Sequence, residues 1–126
     1  MAHKDIRIPF EIKGRRFEAV GGFPNNGKLL MVDGDKTLVH MLRAKKSCVI
    51  RNEDATFISE HFDQLPDEFK QDEYELVTGV LVHLSSMPKR KKAALYFTLY
   101  RGMWEGRMHD MGYYFSYNCL VLCRLP

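Results

Sequence analysis

The sequence predicts an α+β domain: a mainly antiparallel sheet of five to six strands, with two to three helices inserted mid-chain and packed on one face. Both ends of the chain alternate apolar and polar residues with period two. The middle third repeats its apolar residues at helical spacing, and turn chemistry separates the segments. At 126 residues the chain has the length of one domain, and no linker, repeat or low-complexity tract divides residues 1–126.

From Asp5 to Lys13, Ile6, Ile8, Phe10 and Ile12 fall on one side, and Arg7, Pro9, Glu11 and Lys13 on the other, the pattern of a half-buried strand. Pro9 has no N–H to give a ladder, so this strand belongs at an edge or turns that nitrogen outward. Lys13-Gly14 predicts a tight turn into a second strand through Phe17 and Ala19. Pro24-Asn25-Asn26-Gly27 is a further turn, because Asn-Gly readily takes positive φ, and Leu29 to Val32 follows as a short strand.

Asp35 caps a predicted helix reaching about Lys46, with Leu38, Met41, Leu42 and Lys45 at i, i+3, i+4 and i+7. A strand over Thr37–Leu42 is the competing reading. Asn52 caps a second helix, with Glu53 and Asp54 in its first turn and Phe57, Ile58, His61, Phe62 and Leu65 as its inner stripe; Pro66 stops it. Asp67 to Asp72 forms one further helical turn anchored by Phe69.

Three strands close the chain: Tyr74–Leu84, with Gly79 at a bulge, then Ala93–Arg101, then Tyr113–Leu125. Joined by short connections, they predict an antiparallel meander. The far half of the last strand, apolar on both sides at Leu120 and Leu122, is expected to be covered on both faces.

The longest apolar run, Cys119–Cys123, is far shorter than the roughly twenty residues of a membrane span. No secretory h-region is visible, and three irregularly spaced cysteines make no disulfide framework, so the expectation is a reducing cytoplasm. Cys119 and Cys123, four apart on a strand, would stand about 13 Å from each other and could neither bridge nor share a metal. No nucleophile elbow, histidine metal pair or phosphate-binding loop is present. His109-Asp110 looks like half a dyad, but neighbours in an extended strand point to opposite sides. The expectation is a non-enzymatic binding protein without metal or cofactor.

Charge carries the functional content. Glu53 to Glu75 holds nine acids and one base, a net −8, while the rest of the chain is +11. Four consecutive bases, Lys89, Arg90, Lys91 and Lys92, open the strand whose outward face bears Tyr96 and Tyr100. The stretch Arg101–Arg107, read as a loop, carries Trp104. Aromatic rings beside a cationic rim suit RNA or single-stranded DNA, since rings stack on bases and charges meet phosphates. The bland alternative is that the lysines keep a sticky strand soluble. Glu60, Asp63, Asp67 and Glu68 make the helical segment acidic, which excludes it as a major-groove reader. It is either a solvated face or a surface for a basic protein partner.

Overall fold

A computed structural model describes residues 6–21, 31–33, 48–82, 93–110, 114–116 and 119–126. They form a six-stranded, mostly antiparallel sheet, a separate two-stranded sheet and short helices, an α+β arrangement.

β1 (Ile6–Ile12) and β2 (Arg15–Gly21) form the first hairpin. Lys13 and Gly14 both have positive φ, 47° and 86°, so the turn is the two-residue type I′ that matches strand twist. Ile12 opposite Arg15 closes the hairpin, and the alternation of ladder pairs then turns the nitrogen of Pro9 to the outer edge. β1 is the end strand of the sheet, as its proline demands.

β3 is a short strand (Met31–Asp33), followed by β4 (Glu75–Val82), β5 (Ala93–Tyr100), β6 (Met103–Asp110), β7 (Tyr114–Ser116) and β8 (Cys119–Arg124). The sheet runs β1-β2-β8-β4-β5-β6, and β7 pairs instead with β3. The meander expected of Tyr74–Leu84, Ala93–Arg101 and Tyr113–Leu125 does not form: β4 and β5 pair antiparallel as expected, but the strand that follows beside β5 is β6, and β8 pairs parallel with β4 on its other side. Arg101 and Gly102, with φ of 51° and 80°, make a second type I′ turn, so Arg101–Arg107 is hairpin turn and strand rather than loop. The predicted Tyr113–Leu125 strand divides into β7 and β8, in different sheets. β8 lies at the centre, antiparallel to β2 and parallel to β4. That position explains why Cys119 to Cys123 are buried without a break: a central strand is covered on both faces.

β4 and β8 pair over Glu75–Val77 and then separate. Val49 and Ile50 fill the gap between them. The Ile50 N–H donates to the Leu122 carbonyl at 3.1 Å, and the Gly79 N–H donates to the Ile50 carbonyl at 2.8 Å. The β4–β5 register slips between Val77 and Leu81, which is the bulge expected at Gly79. Thr78, fully buried, mends the ladder there: its hydroxyl donates to the Leu95 carbonyl (2.9 Å) and accepts from the Val80 N–H (3.1 Å).

α1 covers Asn52–Ser59 and α2 covers Asp67–Gln71, with a 3-10 turn at Phe62–Gln64 between them. Asn52 is the first helical residue and not the cap; Arg51 precedes it without a side-chain cap bond. The helix expected to reach Leu65 ends six residues sooner, where His61 leaves helical geometry and its Nδ1 lies 2.7 Å from the Phe57 carbonyl. Ala55, Ile58, Leu65 and Phe69 nevertheless join one core with Ile12, Phe17, Leu76, Phe97 and Leu122, so these described helices lie on one side of the sheet. Asp54 ties this layer to the strands, with its carboxylate 3.4 Å from Arg15 and 3.7 Å from Arg124. Among the described residues no helix is long and apolar enough to cross a membrane. The helix predicted over residues 35–46 and the turn at residues 24–27 lie outside the described residues.

Candidate nucleic-acid interface

Strand pleat sorts the candidate residues between the two faces of the sheet. On β5, Leu95 and Phe97 point to the helix side, so Tyr96 and Tyr100 point to the other, which we call the tyrosine face. Register brings Arg107 opposite Tyr96, Met103 opposite Tyr100 and Glu105 opposite Thr98 on this face. Its centre is apolar and buried, at Val20, Val77, Ala94 and Val121. Toward the β5–β6 turn it becomes exposed, and Tyr100 is 48% accessible.

Tyr100 is flanked by cations, with the Arg107 guanidinium 4.9 Å and the Arg101 guanidinium 5.2 Å from its ring centroid. Arg107 is held on that ring by a hydrogen bond and ion pair to Glu105, which also keeps its proton more firmly bound. Tyr96 is half-buried beside the apolar centre and meets the His109 ring edge-on at 6.0 Å. Burial pushes its phenol pKa up, and the nearby Glu75 carboxylate adds to the rise.

Trp104 is not part of this surface. It sits on the helix side of β6, its ring 6.4 Å from Phe62, and its indole Nε1 has no hydrogen-bond partner among the described residues. Reading Arg101–Arg107 as a loop left its direction open; as a strand position opposite Leu99, it has only the face away from Tyr100's neighbours. Lys89, Arg90, Lys91 and Lys92 lie outside the described residues, and Ala93, which follows them in sequence, opens β5. The sequence reading missed Arg101 and Arg107 as partners of Tyr100. A hairpin turn at Arg101-Gly102 would have revealed both.

The acids fall elsewhere. Glu60, Asp63, Asp67 and Glu68 are all exposed in the helical layer, and no described ion pair engages any of them. Beside that layer, a shallow depression of about 400 Å³ is lined by Arg15, Asn52, Glu53, Thr56, Phe57 and Glu60. Arg15 stacks over Phe57 at 4.1 Å and is paired with Asp54, so its charge is already engaged. His109 faces Tyr96 and is one residue from the end of β6. Cys119 and Cys123 are both buried on β8.

The fold and this surface define an α+β chain with an aromatic, arginine-flanked patch at one corner of its sheet. Comparison with known proteins finds no family model, curated protein or solved structure that matches it.

Proposed function

We propose that this chain is a non-enzymatic binding protein of the reducing cytoplasm that takes single-stranded RNA or DNA, with weak sequence preference, on the tyrosine face. The observation that carries the reading is the exposed Tyr100 ring with the guanidiniums of Arg101 and Arg107 close to it, on the same face as Tyr96 and away from the acidic helices. Bases stack on such rings, and adjoining guanidiniums meet phosphates. The run Lys89, Arg90, Lys91 and Lys92 enters the same strand and supplies the remaining charge. Tyr100 stands seven residues from Ala93, about 23 Å along the strand. A ligand that uses both ends must therefore be a strand of several nucleotides.

The test is fluorescence anisotropy with labelled oligonucleotides of increasing length across a salt series. Affinity should rise with length, and its logarithm should fall linearly with log salt. Replacing the four bases by Ala should shallow that slope by about 0.7 for each phosphate no longer neutralised. Tyr100→Ala should weaken binding by about 1–3 kcal/mol, whereas Trp104→Phe should leave it unchanged. Absence of binding, or binding indifferent to both Tyr100 and the four bases, would refute the proposal.

A second reading rests on the exposed acids. Glu60, Asp63, Asp67 and Glu68 would meet a basic protein partner, and reversing their charges should abolish that association while leaving nucleic-acid retention intact.

A further inference from the structure

We infer that the outer edge of β6 pairs antiparallel with the β6 of a second copy of this chain, in the register centred on Gly106. The two edges of the sheet differ. β1 is blunted by the outward nitrogen of Pro9. β6 (Met103–Asp110) carries no proline and no lysine, and among the described residues nothing pairs its outer side. The type I′ turn fixes which groups face outward. Tyr100 and Met103 close the hairpin as a hydrogen-bonded pair, so Met103, Glu105, Arg107 and His109 spend their main-chain groups on β5. Trp104, Gly106 and Met108 direct theirs to the edge.

That alternation leaves a small set of self-pairing registers, and charge chooses among them. Centring on Glu105 sets it against the partner's Glu105, and centring on Arg107 sets it against the partner's Arg107; both are repulsive. Centring on Trp104 or Met108 places neither charge against its opposite. Centring on Gly106 sets Glu105 against the partner's Arg107, and Arg107 against the partner's Glu105, at non-hydrogen-bonded positions where side chains approach most closely. Gly106 then lies against the partner's Gly106, where two backbones meet with no side chain between them. Trp104 falls beside the partner's Met108, an aromatic–sulfur pair. Met103 and Met108, 73% and 37% exposed in the single chain, both come to lie along the seam. The two-fold axis stands perpendicular to the sheet, so both tyrosine faces come to lie on one side. The inference does not depend on nucleic-acid binding.

The experiment is sedimentation equilibrium on nuclease-treated protein. The wild-type chain should show dimer mass. Glu105→Arg alone, which sets base against base at both facing positions of the seam, and Arg107→Glu alone, which sets acid against acid at both, should each lose the dimer. An equimolar mixture of the two variants should regain it as a heterodimer, because the basic edge now meets the acidic one. Recovery in the mixture also shows that both variants are folded. A monomeric wild type, a dimer indifferent to either variant, or a mixture that stays monomeric would each overturn the proposal. Oligonucleotide binding is read separately by anisotropy, so a failure of the interface and a failure of the nucleic-acid reading are distinguishable.

Discussion

Gly79→Ala ordinarily helps a protein slightly, because alanine has less backbone freedom to lose on folding, a gain of about 0.4–1 kcal/mol. Here the sign should reverse. A Cβ at position 79 would come 2.9 Å from Cγ1 of Val49 and 3.0 Å from the Ile50 carbonyl oxygen. Carbon atoms at comfortable packing distance sit about 3.5–4.0 Å apart, so the Val49–Ile50 segment must retreat by more than half an ångström. It has little room to do so. Val49 and Ile50 are 4% and 1% exposed, Ile50 is bonded to Leu122 on one side and Gly79 on the other, and Arg124 N–H holds the Cys48 carbonyl at 2.6 Å. Overpacking of this kind costs about 1–3 kcal/mol, which leaves a net loss of about 1–2 kcal/mol. Urea unfolding followed by circular dichroism should show the midpoint falling by about 1 M with an unchanged slope. In a Val49→Ala background the same change should cost less, because one of the two opposing atoms is gone while the Ile50 oxygen remains. A Gly79→Ala protein as stable as wild type would refute the reasoning that Val49–Ile50 is wedged rigidly between β4 and β8.

Thr78→Val keeps the shape but leaves the Leu95 carbonyl and the Val80 N–H without their hydroxyl partner. It should cost about 1–3 kcal/mol, more than Thr78→Ser, in the same urea assay. Tyr96 holds its phenol proton more tightly in the folded chain than in the unfolded one, through burial first and Glu75 second. Its contribution is therefore fully present below pH about 10 and lost as pH rises through the raised value, so Tyr96→Phe should flatten the alkaline decline of the unfolding midpoint.

The parts of this fold that were legible in sequence are those where one local rule decides. β1 alternates cleanly and carries Pro9, so its half-burial and its edge position could both be read. Phe69 is the single large apolar residue of its segment, and it is fully buried. Gly79 interrupted a run of strand formers and marks a bulge. The failures are non-local. Arg101-Gly102 lacks the Asn-Gly signature, and Glu105, Gly106 and Arg107 resemble loop composition, so the β5–β6 hairpin was hidden and Trp104 had no assigned face. The break between β7 and β8 is equally invisible, because Phe115, Tyr117, Cys119, Val121 and Cys123 keep one apolar face at period two with no turn residue between Ser116 and Cys119 except Asn118, while the chain changes sheets. Alternation tells which residues share a face. It cannot tell which face the helices cover, and the candidate surface depends on that.

The sheet separates the molecule's charges in a way that bears on both proposals. Glu60, Asp63, Asp67 and Glu68 are exposed on the helix side, so a polyanion is repelled from the face where Trp104 lies. The tyrosine face is not strongly cationic by itself. Arg7 is 3.0 Å from Glu18, Arg107 is paired with Glu105, and Glu75 stands beside Tyr96, so the described charges there nearly cancel. In the proposed binding mode, stacking on Tyr100 would supply orientation, and the long-range attraction would have to come from Lys89, Arg90, Lys91 and Lys92. A polyanion held by one copy alone engages that run once. Pairing at β6 would put two tyrosine faces, each with its own Tyr100 ring, on one side of a continuous sheet, and each copy brings its own basic run in sequence. Dimerisation through β6 would thus convert a nearly neutral, single-ring patch into a two-site surface whose affinity grows by effective concentration rather than by any new bond to the ligand.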